Sequence, residues 1–153
     1  MKKKLTAYML MLLMFCMTLM SGSGGTGEEV QGTDEGTSEV VTIDEDGWYY
    51  STEDVALYLY TYGELPDNFI TKKEAQSMGW DNKKGNLWEV ADGMCIGGDY
   101  FGNKEGLLPE EDDYTECDVN YEGGFRGAER IVFSDDGDIY YTGDHYESFE
   151  QLY

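Results

Sequence analysis

Residues that bind metals and residues that carry positive charge are both scarce in this sequence of 153 residues. It contains one histidine, His145, and three cysteines, without any CxxC pair. Because zinc sites are built from several histidine and cysteine ligands, we expect no metal and no other cofactor. Ten lysines and arginines stand against 32 aspartates and glutamates, which gives a formal net charge of −22. A charge of this sign opposes the binding of polyanions over a broad surface.

Three segments differ in composition. Residues 1–25 begin with three lysines and continue through the apolar run Leu5–Met20 to the small residues SGSGG, a pattern typical of a secretory signal peptide. Residues 26–46 carry eight acids and no base, so we expect a flexible acidic tether. Residues 47–153 are long enough for one domain with its own core. The sequence therefore predicts a secreted, extracellular protein with no obligate membrane association.

Two cysteines remain after the predicted signal peptide, Cys95 and Cys117. Export permits a disulfide, and an even number of cysteines is compatible with one. Two buried reduced thiols are the alternative, because disulfide geometry depends on distances that a sequence does not contain. Both alternatives stay open at this point.

The order of the apolar patterns predicts the fold class. Val55, Leu59 and Tyr62 recur at helical spacing before a glycine, and Thr71 with Glu74 forms a capping box that predicts a second helix. "NLWEVA" is a candidate third helix. Short runs rich in Tyr, Ile, Val and Phe follow, and SDDGD between two of them indicates a hairpin. Helices followed by strands favour an α+β fold, with helices packed on one face of an antiparallel sheet.

Few residues of this domain could carry chemistry. Arg126 and Arg130 lie four residues apart, and paired guanidinium groups match a phosphate or a carboxylate. They could equally pair with nearby acids and staple the sheet; the candidates are Asp118, Glu122 and Glu129. Glu116 on a predicted strand is compatible with a solvated face, and a lone histidine such as His145 is more often structural than catalytic.

Five segments together resemble one family. "LPDNFITKKEAQSMGW", "KGNLWEVADG", "IGGDYFGNKEGLLP", "DVNYEGGFRGAERIVFS" and "TGDHYESF" are similar, in order, to the barnase family of bacterial guanyl-specific extracellular ribonucleases. The resemblance runs from about Val55 to Phe149, with one main gap in "PEEDDYTE". It implies the microbial ribonuclease fold, in which N-terminal helices pack on a twisted antiparallel sheet, for a ribonuclease domain at residues 47–153.

The resemblance also implies a role for each matching residue. Glu116 falls on the family's general base and His145 on its general acid. The phosphate-binding cations are matched by Lys72, Arg126 and Arg130, and the acids that position them by Asp99 and Asp118. The residues that bind the guanine base are matched by Phe101, Asn103, Lys104, Glu105 and Tyr146. The implied function is a secreted, guanyl-preferring endoribonuclease that cleaves single-stranded RNA by transesterification through a 2′,3′-cyclic phosphate, without a metal.

The sequence departs from the family in two ways. Lys104 replaces an arginine and Gly102 a serine, so we expect a weaker preference for guanine. The domain is also strongly acidic, although four of its seven bases fall at the implied site. The expected partner is RNA, and we expect a monomer. A cytosolic inhibitor of the barstar type is a further candidate partner, although the acidic surface disfavours capture by a strongly acidic inhibitor. The alternatives are a non-enzymatic exported binding module on the same fold, and an antibacterial toxin with a dedicated inhibitor.

Overall fold

The computed structural model of the protein describes residues 42–110 and 112–153. The predicted signal peptide and residues 26–41 of the predicted tether lie outside the described residues. Within them, every helix is too short or too polar to cross a lipid bilayer.

Three helices precede most of the sheet, as the sequence predicts: α1 (Thr52–Tyr62), α2 (Lys72–Ser77) and α3 (Leu87–Val90). Ser51 caps α1 by accepting a hydrogen bond from the backbone N–H of Asp54, and Gly63 ends the helix with a left-handed φ of 74°. At α2 the Thr71 hydroxyl accepts from the Glu74 backbone, and the Glu74 carboxylate accepts from the Thr71 backbone. The capping box is therefore confirmed.

Six strands form one sheet in sequence order: β1 (Phe69–Ile70), β2 (Cys95–Phe101), β3 (Tyr114–Asp118), β4 (Arg130–Ser134), β5 (Ile139–Thr142) and β6 (Glu150–Gln151). All neighbours from β2 to β6 pair antiparallel. The short β1 pairs parallel with β2, which the sequence analysis did not predict. This arrangement confirms the α+β class and the microbial ribonuclease fold.

The core has three buried clusters, two of which join the helices to the sheet. Val55 and Leu59 of α1 pack with Ile131 and Ile139 of the central strands. A second cluster joins α2 and α3 to β2 and includes Trp80 and Leu87. The third consists of Leu108, Tyr114, Val132 and Tyr140, with Phe101, Tyr146 and Phe149 packed against it. This third cluster supports residues that the sequence analysis assigns to the site.

The last residues of the predicted tether contact α1. The Tyr62 hydroxyl donates to the carbonyl of Ile43 over 2.7 Å, and the Tyr58 hydroxyl donates to the carbonyl of Glu45 over 2.9 Å. These bonds attach residues 43–45 to α1, upstream of the predicted domain start at residue 47.

Cys95 and Cys117 are buried free thiols. Their strands pair, but the register places Cys117 opposite Gly97 instead of opposite Cys95. A disulfide needs a short and specific separation of the two Cα atoms. The two cysteines are not register partners, because Cys95 lies two residues from the partner of Cys117. Burial raises the pKa of the Cys95 thiol to about 12 and raises that of Cys117 as well. The structure therefore has the second of the two alternatives, a pair of protonated thiols in the core.

Candidate active site

Glu116 lies at the centre of β3, between Asp99 of β2 and Val132 of β4 in the strand register. Its carboxylate is nearly buried, with the residue 7% exposed. One oxygen accepts a hydrogen bond from Lys72 Nζ at 2.5 Å, and the other accepts from the Tyr146 hydroxyl at 2.5 Å. The sheet therefore holds a carboxylate whose two oxygens are both directed by neighbouring side chains.

Both arginines bind the carboxylate of Asp118, two residues further along the same face of β3. Arg126 donates to it twice, from Nε over 2.7 Å and from Nη2 over 2.6 Å. Arg130 lies opposite Asp118 on β4, with its Nε 2.9 Å from a carboxylate oxygen. The sequence is compatible both with arginines that pair with acids and with arginines that bind an anion. They pair with Asp118, but five N–H donors on each guanidinium leave further donors for a ligand.

Arg130 is held from several directions although it is only 2% exposed. Its Nη1 donates to the backbone carbonyls of Gly127 and Glu129 over 2.9 and 2.7 Å. Arg126 is less buried, and its guanidinium carbon lies 5.9 Å from the centre of the Trp80 ring. Two fixed cations therefore lie at the end of β3, next to Glu116.

Asp99 positions Lys72 through the backbone. One of its carboxylate oxygens accepts a hydrogen bond of 2.9 Å from the Lys72 N–H, which is the first residue of α2. Because that N–H has no partner within the helix, the bond fixes the start of α2 on β2. The side chain of Lys72 then extends from this point to Glu116.

The turn that carries His145 has an unusual backbone. His145 and Tyr146 have φ values of 58° and 74°, in the left-handed region that costs non-glycine residues energy. Side chains hold the turn in place: Thr142 accepts a hydrogen bond from the Tyr146 N–H, and Asp144 accepts from the N–H and the hydroxyl of Ser148. The hydrogen bonds from Ser148 lower the pKa of Asp144 to about 2.

Tyr146 connects the exposed His145 to the sheet. The centres of the two rings are 4.9 Å apart, and the tyrosine hydroxyl donates to Glu116. Burial and the bond to the Glu116 carboxylate raise the pKa of Tyr146 well above its usual value. Two groups that can exchange protons, a carboxylate and an imidazole, are thus both in contact with one aromatic side chain.

The loop after β2 holds the predicted base-binding residues. Phe101 stacks on Tyr146 with ring centres 5.2 Å apart. The amide of Asn103 bonds both the carbonyl and the N–H of Leu108, so this side chain braces the loop from within. Lys104 and Glu105 extend into solvent. The loop therefore presents backbone groups and two exposed charged side chains beside a stacked aromatic pair.

The structure thus brings together most of the residues that the sequence analysis selected. It also shows three residues to which the sequence analysis assigned no role, namely Thr142, Asp144 and Ser148. The signal for them is weak, because an Asp followed four residues later by Ser in a polar turn is common on protein surfaces. Within residues 42–110 and 112–153, no group of three histidine, cysteine or acidic side chains is placed to hold a metal ion.

A comparison with protein families decides the family of the chain. A family model described as ribonuclease matches residues 52–153. The chain belongs to this ribonuclease family. Membership in this family supports the conclusion that the protein is an endoribonuclease and that RNA is its substrate. It also confirms the resemblance found in the sequence.

Individual relatives agree with the family match. The chain is 53% identical over 100 residues to a ribonuclease of Heyndrickxia coagulans, covering 64% of this chain and 92% of the relative. It is 53% identical over 100 residues to a ribonuclease of Bacillus intermedius, covering 64% of this chain and 62% of the relative. It is also 49% identical over 55 residues to guanyl-specific ribonuclease St of Saccharopolyspora erythraea, covering 34% of this chain and 54% of that protein.

Proposed function

We propose that this ribonuclease cleaves single-stranded RNA on the 3′ side of guanosine by transesterification, with Glu116 as general base and His145 as general acid. One observation carries the proposal. The Glu116 carboxylate is held by Lys72 and Tyr146 beside two arginines anchored on Asp118, and the ring of Tyr146 contacts His145.

The reaction needs one proton removed and one supplied. Glu116 takes the proton of the ribose 2′-hydroxyl as that oxygen forms a bond to phosphorus. The bond from phosphorus to the 5′-oxygen breaks, and His145 protonates the departing oxygen, which leaves a 2′,3′-cyclic phosphate. A carboxylate that accepts a proton and an imidazolium that donates one are the two groups that this reaction requires. Water then opens the cyclic ester with the two roles exchanged.

Charge on the phosphate is met by cations that are already in place. Asp118 holds both Arg126 and Arg130. Asp99 and Glu116 hold Lys72. Little reorganisation is therefore needed as the charge on the phosphoryl oxygens grows. The proposal needs no metal ion, because proton transfer and charge stabilisation are both assigned to side chains.

Guanine preference is assigned to the loop after β2. Guanine presents an N2 amino group beside its N1–H, and the two oxygens of an exposed carboxylate such as Glu105 can accept from both. The guanyl-specific relative supports this part of the proposal. Lys104 supplies one ammonium in place of a planar guanidinium fork, so we expect the preference to be modest.

The catalytic roles are tested with Glu116→Ala and His145→Ala on the dinucleotide GpA, in buffer that contains a chelator. Each change should lower the rate of cyclic phosphate formation by several orders of magnitude, while circular dichroism stays the same. Glu64→Ala removes an exposed acid of the loop after α1 and serves as the control. Cleavage by both catalytic variants at the rate of the control would show the roles to be wrong, and loss of wild-type activity in chelator would refute the metal-free mechanism.

Base preference is tested separately with Glu105→Ala. The ratio of kcat/KM for GpA to that for ApA should fall, whereas kcat for ApA should change little. Glu110→Ala, which removes a neighbouring exposed acid, controls for the change in charge. An unchanged ratio in Glu105→Ala would remove this residue from base recognition.

We also propose that the protein is exported and monomeric, and that its acidic surface disfavours capture by a strongly acidic cytosolic inhibitor of the barstar type. The basic and apolar start of the sequence supports export. N-terminal sequencing of protein from the culture medium tests it, and a start at Met1 would refute cleavage. The non-enzymatic binding module and the toxin remain alternatives; the first requires that the purified domain does not cleave GpA, and the second that the producing cells carry an inhibitor.

A further inference from the structure

The segment just upstream of the predicted domain, residues 43–46, lies outside the part of the chain that the ribonuclease family model matches. Neither the family match nor the catalytic proposal gives this segment a role. Three side chains of the domain nevertheless bind it: Tyr49, Tyr58 and Tyr62, which we call the tyrosine cluster. The acidic side chains of the segment are exposed, so it is the backbone that makes these contacts.

Each hydroxyl of the tyrosine cluster donates to a different carbonyl of three consecutive residues. The bonds run from Tyr62 to Ile43 over 2.7 Å, from Tyr49 to Asp44 over 3.0 Å and from Tyr58 to Glu45 over 2.9 Å. The Tyr49 hydroxyl also accepts a hydrogen bond of 2.9 Å from the Asp44 N–H. Every residue has a backbone carbonyl, so this mode of binding does not depend on the side chains of the segment.

The tyrosine cluster is itself firmly held. Tyr58 and Tyr62 lie one turn apart on α1, with ring centres separated by 4.6 Å. Tyr58 is 3% exposed, and the centre of the Tyr49 ring lies 5.7 Å from that of Tyr58. The side-chain amide of the buried Asn68 bonds both the N–H and the carbonyl of Tyr49. Burial and nearby carboxylates raise the pKa of Tyr58 and Tyr62, so both hydroxyls keep the proton that they donate.

A tight turn joins the segment to the tyrosine cluster. The Gly47 N–H donates to the Asp44 carbonyl over 3.2 Å, and the Asp44 carboxylate accepts a hydrogen bond of 3.1 Å from the Asp46 N–H. A Cβ at Gly47 would overlap the Tyr49 hydroxyl, so a glycine is needed where the chain passes this side chain. The turn therefore fits the tyrosine that binds the segment.

We propose that the tyrosine cluster is a docking site for the backbone of residues 43–46, which makes this segment part of the folded domain and shields it from endoproteases. Proteolysis concentrates where the backbone is exposed and unbonded, because the chain must open locally before a protease can bind it. Docking therefore moves the start of the protease-resistant domain from Gly47 to Ile43. An endoprotease outside the cell can separate the tether from the domain only upstream of residue 43.

Docking also decides on which side of the sheet the tether joins the domain. Val55 and Leu59 of α1 pack with Cys117 of β3. Glu116 precedes Cys117 on that strand, and successive side chains of a strand point to opposite faces of the sheet. The helix that binds the segment therefore lies on the side of the sheet away from Glu116. The three acids of the segment are thus held away from the cations of the candidate site, where they would compete with a phosphate.

Hydrogen exchange of backbone amides in the exported chain tests the docking site without reference to catalysis. The reporter is the Asp44 N–H, which donates to Tyr49. Tyr62→Phe removes a hydroxyl that binds the neighbouring Ile43, yet it should lower the protection of Asp44 about fivefold, because the segment opens as one unit. Tyr60→Phe, at a tyrosine 64% exposed on the same helix, is the matched control and should leave this protection unchanged. Equal protection of Asp44 in the two variants would overturn the proposal.

Substitutions in the segment test whether the cluster binds its backbone. Glu45→Gln with Asp46→Asn removes two exposed charges and leaves every backbone carbonyl in place. This double variant should protect the Asp44 N–H from exchange as well as the wild type does. A loss of protection as large as that in Tyr62→Phe would show that the acidic side chains hold the segment, and the docking site would be wrong.

Limited proteolysis measures where the tether can be cut. A protease of broad specificity should leave a wild-type product that begins at or before Ile43, as read by mass spectrometry. Gly47→Ala, whose Cβ displaces the Tyr49 hydroxyl, should give a product that begins beyond Asp46. Gly127→Ala is the matched control, because a Cβ there meets no atom within 4 Å. A wild-type product that begins beyond Asp46 would overturn the docking site, and so would identical products from the two glycine variants.

Discussion

Glu116 lies in the middle of β3 with a strand paired on each side, whereas His145 lies on an exposed turn between β5 and β6 with left-handed backbone. The neighbours of Glu116 are fixed by the register of the sheet. Those of His145 are fixed by a few hydrogen bonds that Thr142 and Asp144 accept from the backbone of the turn. The two candidate proton-transfer groups are thus held by different kinds of structure.

Because the two groups are held differently, we expect substitutions around Glu116 to lower stability and substitutions around His145 to lower activity. The sheet part of the site shares its buried residues with the core, so damage there should unfold the protein. The turn contacts the core through Tyr146 and Phe149, whereas its Asp144 is exposed, so loss of the hydrogen bonds to Asp144 should misplace a side chain while the fold persists. Local order of this kind is expected to be lost at lower free energy than the central strands.

The largest effect is a loss of stability on replacing Asp118, the carboxylate that holds both arginines. Asp118→Ala leaves the buried Arg130 guanidinium without its carboxylate, and breaking a buried ion pair in this way costs about 3–5 kcal/mol. The free energy of unfolding in urea measures it. Asp135→Ala, in the exposed turn after β4, is the control. A loss no larger than that of the control would show that the sheet part does not depend on this carboxylate.

A smaller effect, on activity, is expected at Asp144. Asp144→Ala removes the acceptor that holds the His145–Tyr146 turn, and a displacement of about 1 Å can lower kcat by ~100-fold. KM should change little, and the thermal midpoint should fall much less than in Asp118→Ala. Asp144→Asn keeps one acceptor oxygen and should restore part of kcat. If the alanine variant instead loses stability without losing kcat, the turn belongs to the core and the comparison is wrong.

The smallest effect is the loss, at low pH, of the contribution that the Asp144 carboxylate makes to the thermal midpoint. Hydrogen bonds lower the pKa of Asp144 from 3.8 to about 2, so the folded state favours the ionised form. Its contribution to stability is full above the unfolded pKa and is lost as pH falls through about 2. The difference in thermal midpoint between wild type and Asp144→Asn should therefore shrink between pH 4 and pH 2. A difference that is constant over this range would show that the carboxylate bonds do not stabilise the turn.

Local signals predicted much of the fold. The caps of α1 and α2 were visible because Ser, Thr and Glu act on neighbouring backbone groups. The strands were visible from their Tyr, Ile and Val content. The parallel pairing of β1 was not visible, since two residues are too few to show a pattern. The base-binding loop was selected only by resemblance to the family, and the bracing role of Asn103 required the structure.

The sequence by itself determined which side chains are available: one imidazole, a few cations and many carboxylates. It also determined where the helices begin, because caps act over three or four residues. Only the tertiary structure decided that Glu116 lies between Lys72 and Tyr146, which are 44 and 30 residues away, and that one aspartate holds both arginines. The physical reason is the strand register, which sets all long-range neighbours together and depends on the packing of the whole sheet.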